Sequence, residues 1–91
     1  YIFHLIEVMT QSGIKLGLSE EQAIQLARQT VIGAAHLAEA QSETPASNLR
    51  ENVTSPGGTT AAALEKLMDG RLQDIYDEAL SAAKARSIEL S

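Results

Sequence analysis

Apolar side chains recur along this chain at intervals of three and four, the period of a helix packed on one side. The first run, "YIFHLIEVM", is the densest. Ile2, Leu5, Ile6 and Met9 form one helical stripe, and Tyr1, Phe3 and Val8 widen it to nearly the whole circumference. The pattern predicts a helix to about residue 12. A helix apolar on most sides is covered on most sides, so this one requires a partner surface. Gly13 and Gly17 in "SGIKLGLS" read as its end and the connector that follows.

The next helix has an explicit start. Ser19 and Gln22 in "SEEQ" have the spacing of a capping box. Glu20 and Glu21 place negative charge in the first turn, where the helix dipole favours it. Ala23, Ile24, Ala27, Val31, Ala34, Ala35 and Ala38 carry the period on to about Gln41. Gly33, Ala34 and Ala35 make a small-residue patch that lets another backbone come close. In "SETPASNL", Thr44 is placed as an N-cap and Pro45 as a first helical residue, opening a short helix to about Glu51. A helix from about Thr59 to Met68 follows, with Gly70 as its C-cap. The last runs from about Leu72 to Leu90, with Leu72, Ile75, Tyr76, Ala79 and Ala83 on one face. No stretch alternates apolar and polar residues over strand length. The expectation is an all-α, five-helix domain with short connections.

Composition sharpens this picture. The 91 residues suffice for one domain. The only aromatics are Tyr1, Phe3 and Tyr76, so alanine must do much of the packing and the helices must lie close. The net charge is −5, and Lys and Arg are scattered without a basic stripe, which excludes the usual nucleic-acid footprint. Cysteine is absent, which removes disulfides and thiolate metal sites and fits a cytoplasmic protein. The opening apolar run of about nine residues falls far short of the ~20 that span a bilayer. It also lacks the basic start and cleavage site of a signal peptide. Beginning with Tyr inside a helix, the chain reads as a piece of a longer protein.

One segment stands apart: "NVTSPGGTTAAALEKL". It stops regular structure at Pro56, Gly57 and Gly58, then starts a helix at once. A helix N-terminus leaves up to four backbone N–H groups unpaired, and with the helix dipole they attract an anion. Gly57 and Gly58 have no Cβ to keep a ligand off the backbone. Thr59 and Thr60 add hydroxyls. No charged side chain stands between Thr54 and Leu64, so N–H groups would do the holding, and a carboxylate suits them better than a phosphate. A nucleotide P-loop is excluded because its lysine is missing. The alternative is an ordinary helix start, with Pro56 and Gly57 forming a tight turn and Thr59 capping.

Other candidates are weaker. His4 and Glu7 share a helix face, but two ligands do not make a metal site, and a helical pair accounts for them. His36, among Ala34, Ala35 and Leu37, reads as a partly buried structural histidine. Tyr76 reads as core. Asp74, Asp77 and Glu78 fit the N-terminal end of the last helix, and Lys84 and Arg86 its C-terminal end. Metal ligands, a Ser-His-Asp arrangement and a G-x-G-x-x-G fingerprint are not found.

"VTSPGGTTAAALEKL" resembles the signature segment of the pyrroline-5-carboxylate reductase family. "LIEVMTQSGIKLGLSEEQAIQLARQTVIGAAHL" is similar to the two helices before that signature, and "EALSAAKARSIEL" to the family's closing helix. The resemblance covers essentially the whole chain. Of the Gly-Pro-Ala-Tyr segment that usually leads into the first of these helices, only Tyr1 is present.

The resemblance implies an oxidoreductase of proline biosynthesis that reduces 1-pyrroline-5-carboxylate to L-proline with NADPH or NADH. Residues 1–91 would be its C-terminal dimerisation and substrate-binding domain. The cofactor would be held by an N-terminal Rossmann domain, with no cofactor-binding residue in this stretch. The helical domain would intertwine with a second copy, giving a homodimer that assembles further in some members, up to a decamer. The substrate loop would map onto Val53, Ser55, Pro56, Gly57, Gly58, Thr59 and Thr60. Backbone amides at Gly58, Thr59 and Thr60 would hold the carboxylate, and the Thr60 hydroxyl would lie near the imine nitrogen as the catalytic contact. Neither nucleic acid nor membrane is an implied partner. The competing readings are a stand-alone helical dimerisation module without catalysis, and the helical domain of another nicotinamide-dependent dehydrogenase. The latter often carries a catalytic lysine inside a helix, and none of Lys15, Lys66 and Lys84 is placed as one.

Overall fold

The computed structural model describes residues 1–91. It holds five helices and no strand: α1 (Ile2–Lys15), α2 (Glu20–Ala40), α3 (Ala46–Asn52), α4 (Thr59–Leu67) and α5 (Arg71–Leu90). The all-α expectation stands. The chain divides into two compact units, Tyr1–Leu49 and Arg50–Ser91.

The first unit is built on α1 packed against α2. The inward stripe of α1 is Ile6, Met9, Thr10, Gly13 and Ile14, each buried or half-buried. Opposite it stand Ala23, Ala27 and Val31 of α2, spaced four apart; Ala23 and Ala27 are buried. Thr10 is buried among them, and its hydroxyl donates to the Ile6 carbonyl at 2.7 Å. That back-bond satisfies a group that would otherwise be costly to bury.

Gly13 is not the end of α1, as its position in the sequence suggested. It lies inside the helix, where a Cβ would stand 3.2 Å from both the Ala23 Cβ and the Leu18 Cδ1. Its role is close approach. Gly17, with φ of +107°, makes the actual stop. The Leu18 N–H donates to the Gly13 carbonyl and the Gly17 N–H to that of Ile14, at 3.1 and 3.0 Å. These are the two bonds of a Schellman motif.

The start of α2 is as expected. The Gln22 N–H donates to Ser19 Oγ, and the Ser19 N–H donates to Gln22 Oε1, both at 3.2 Å. His36 is exposed, not partly buried as its neighbours suggested, and the Gly33–Ala35 patch is uncovered in this single chain. Both lie away from the one stripe of α2 that α1 covers. The outer side of α1 is likewise bare: Phe3 is 85% exposed and Tyr1 72%.

α3 starts at Ala46, one residue later than its pattern suggested. The Pro45 carbonyl accepts from the N–H groups of Asn48 and Leu49 at 3.0 and 3.2 Å. Pro45 therefore takes the cap position that Thr44 was expected to hold.

In the second unit no side chain is buried. Ala61 and Leu64 of α4 and Tyr76 of α5 are half-buried; Leu72, Ile75, Leu80 and Ile88 of α5 are exposed. Gly70 does not cap α4. Met68 does, its N–H donating to the Leu64 carbonyl at 2.8 Å. Gly70, with φ of +101°, is the N-cap of α5, and its carbonyl accepts from the Asp74 N–H at 3.2 Å. The Asp69 carboxylate spans this corner, accepting from the Arg71 backbone N–H at 3.1 Å and from Arg71 Nε at 2.8 Å. These bonds hold the Asp69 carboxyl below the usual carboxylate range, the backbone N–H contributing most. At the far end of α5, Arg86 pairs with Glu89 at 2.8 Å. No helix is long and apolar enough to cross a membrane.

Candidate carboxylate-binding turn

The glycine-rich segment is a closed turn. The Gly58 N–H donates to the Ser55 carbonyl at 3.0 Å. Pro56 presets the φ of the second position, and Gly57 takes the third with φ of +71°. Proline followed by a positive-φ glycine is the pattern of a type II turn. A Cβ on Gly58 would lie 3.2 Å from the Ser55 carbonyl oxygen, whereas one on Gly57 would meet nothing within 4 Å. The two glycines thus have different duties. Gly57 supplies a backbone angle, and Gly58 lets the turn close.

Gly58 is the N-cap of α4 and makes no side-chain cap bond. Its carbonyl accepts from the Ala62 N–H at 3.2 Å. Thr59 is therefore the first helical residue and not the cap, which corrects the alternative reading of this segment. The N–H groups of Thr59, Thr60 and Ala61 have no partner in the structure. They form an unpaired fan at the positive end of the helix dipole. Both threonines are exposed, so two hydroxyls share this end. Of the three amides expected to face a carboxylate, that of Gly58 is committed to Ser55, and those of Thr59 and Thr60 are free. The Ala61 amide joins them, which the sequence reading passed over. It is the third helical position of α4, and helix starts leave that N–H unpaired.

The approach to the turn is also fixed. Val53 and Thr54 follow α3, their N–H groups donating to the carbonyls of Arg50 and Glu51 at 3.3 and 3.0 Å. The half-buried Thr54 adds its hydroxyl to the Arg50 carbonyl at 2.6 Å. Val53 itself is 60% exposed. The turn holds no acid or base. Chemically it can orient a small anion and donate hydrogen bonds to it.

A shallow depression of about 290 Å³ runs along α1, lined by His4, Glu7, Val8, Gln11, Ser12 and Lys15. These are one face of one helix. His4 Nδ1 and Glu7 Oε1 lie 3.4 Å apart on it, both well exposed. No group of three His, Cys, Asp or Glu side chains is placed to hold a metal ion.

Compared with known protein families, residues 1–90 match the family described as pyrroline-5-carboxylate reductase dimerisation. The chain belongs to this family. It is 45% identical to the pyrroline-5-carboxylate reductase of Pseudomonas aeruginosa over 91 residues, all of this chain and 33% of that protein. It is 42% identical to that of Mycobacterium leprae, over 99% of this chain and 36% of the relative. Among solved structures it is similar to a pyrroline-5-carboxylate reductase from Coxiella burnetii, with a TM-score of 0.93 and 44% identity over 100% of this chain. The Plasmodium falciparum pyrroline carboxylate reductase with NADP bound superposes with a TM-score of 0.87 at 33% identity, over 96% of this chain. Each solved structure is covered over 33% of its length. The chain spans about a third of the length of the relatives it matches.

A pyrroline-5-carboxylate reductase needs a nicotinamide cofactor. Residues 1–91 do not fit one. A dinucleotide pyrophosphate is cradled where a strand turns through a glycine fingerprint into a helix, and here there is no strand. The Ser55–Gly58 turn connects helix to helix.

Proposed function

We propose that residues 1–91 are the dimerisation and substrate-carboxylate part of an enzyme that reduces 1-pyrroline-5-carboxylate to L-proline, with NADPH or NADH bound outside this stretch. The observation that carries the reading is the unpaired N–H fan of Thr59, Thr60 and Ala61, held open by the Ser55–Gly58 turn. It suits a small carboxylate without a counter-charge. Val53, Ser55, Pro56 and Gly57 shape the turn, and Gly58 starts the helix. The Thr60 hydroxyl serves as the donor to the ring nitrogen of the imine. An aliphatic hydroxyl is a weak acid, so its task is orientation and hydrogen bonding.

The partner is a second copy. α4 has 9 residues, too few to be stable alone in water, and α5 exposes Leu72, Ile75, Leu80 and Ile88. A covering helix from another subunit supplies the missing packing, and an intertwined dimer covers α1 and α5 together; further assembly to a decamer is compatible with it. We place the protein in the cytoplasm.

The test is NADPH oxidation with pyrroline-5-carboxylate, by the protein that carries residues 1–91, after its intact mass is measured. Turnover that requires the imine supports the reading. A mass well above 9.7 kDa without any turnover counts against it.

A further inference from the structure

We infer that Thr54 is a positioning residue for the carboxylate turn, latching it to the end of α3. The inference rests on the reductase reading above and extends it to a side chain that does not touch the substrate.

Arg50 is among the last residues of α3, so its carbonyl has no donor from the helix ladder. Two groups converge on it: the Val53 N–H at 3.3 Å and the Thr54 hydroxyl at 2.6 Å. The hydroxyl is the shorter contact. The Thr54 N–H meanwhile donates to the Glu51 carbonyl at 3.0 Å. Thr54 is thus pinned at two points, by main chain and by side chain.

Its neighbour Ser55 provides the carbonyl that closes the turn on Gly58. Fixing Thr54 fixes the Ser55 peptide, and fixing that peptide fixes where α4 begins. The chain of bonds runs from the Arg50 carbonyl to Thr54, on to Ser55, and through Gly58 to the free amides of Thr59, Thr60 and Ala61. Thr54 is half-buried, which shields its bond from competing water. A serine keeps the donor; a valine keeps the shape and loses it.

The test compares T54V and T54S with wild type in the full-length protein. Two readouts are taken: deuterium uptake of the peptide covering residues 53–60 without substrate, and steady-state kinetics. With T54V, the slowly exchanging component of that peptide's uptake, the Gly58 amide, is expected to exchange at least about 3-fold faster, because it loses protection. KM for pyrroline-5-carboxylate is expected to rise about 5- to 20-fold, with KM for NADPH within about 2-fold. T54S is expected to restore both readouts. Unchanged uptake in T54V overturns the latch, whatever the kinetics. Raised uptake with an unchanged substrate KM overturns the positioning role alone. A parallel rise in both KM values marks general disruption and overturns it as well. A wild-type protein inactive on the imine sinks the reductase reading and the positioning role with it, and the uptake comparison then still reports whether the latch exists.

Discussion

Gly13 of α1 lies directly against Ala23 of α2, so close that a Cβ on the glycine would sit 3.2 Å from the alanine's own. Alanine is the better helix former by about 1 kcal/mol, yet a Cβ at this site requires Ala23 or Leu18 to give way slightly. Ala23 is 2% exposed, and an alanine has no rotamer by which to move aside. Gly13→Val is expected to destabilise the α1–α2 pair by about 1–3 kcal/mol through overpacking. Thermal unfolding checks it. Ala23→Gly in the same chain is expected to recover part of the loss, since it removes the atom that clashes. Full additivity of the two changes would contradict the contact.

Gly57 offers a second test, of angle and not of space. Its φ of +71° costs a side-chain-bearing residue about 1–2 kcal/mol, although nothing crowds its Cβ position. Gly57→Ala is therefore expected to raise KM for the carboxylate substrate. Gly57→Asn is expected to do so less, because asparagine tolerates the left-handed region. Equal effects from both would point to a steric cause that the structure does not contain.

In the proposed function, Thr60 is the donor to the imine nitrogen. Thr60→Ala is expected to lower kcat/KM by the equivalent of about 1–3 kcal/mol, and Thr60→Ser to keep most of it. Wild-type values in Thr60→Ala would remove the residue from the site.

The Asp69 corner predicts a pH dependence. Its carboxyl is held below the usual range by the Arg71 backbone N–H and guanidinium, so its folded pKa is lower than its unfolded one, about 3.9. A depressed carboxyl contributes stability above that value and loses it as pH falls through the folded pKa. Melting curves of wild type and Asp69→Asn are expected to differ at pH 6 and to converge as pH falls through the folded pKa. Exposure and salt keep the difference small.

Much of this arrangement was legible in the sequence, and what was not has a common cause. The Ser19 capping box and the break at Pro56 are local, so spacing alone located them. Gly13 and Gly70 were misread because glycine ends helices in more than one way and also permits close approach; only the partner across the contact, Ala23, or the backbone angle distinguishes these. His36 was placed inside because its neighbours are small and apolar, but Gly33–Ala35 face outward in this chain. Thr54 and Ala61 escaped notice for another reason. One acts through a back-bond to a carbonyl four residues earlier, the other through its main chain, and neither use shows in residue type. The signal for Thr54 was a threonine directly after a helix end.

The absence of any buried side chain between Arg50 and Ser91 has a thermodynamic consequence. If the cover for those helices is a second molecule, their folding is a bimolecular event and obeys mass action. Dilution then acts as a denaturant. Each tenfold drop in protein concentration removes about 1.4 kcal/mol from the dimer's stability, so the melting temperature is expected to fall with dilution, whereas a self-sufficient monomer melts at one temperature whatever its concentration.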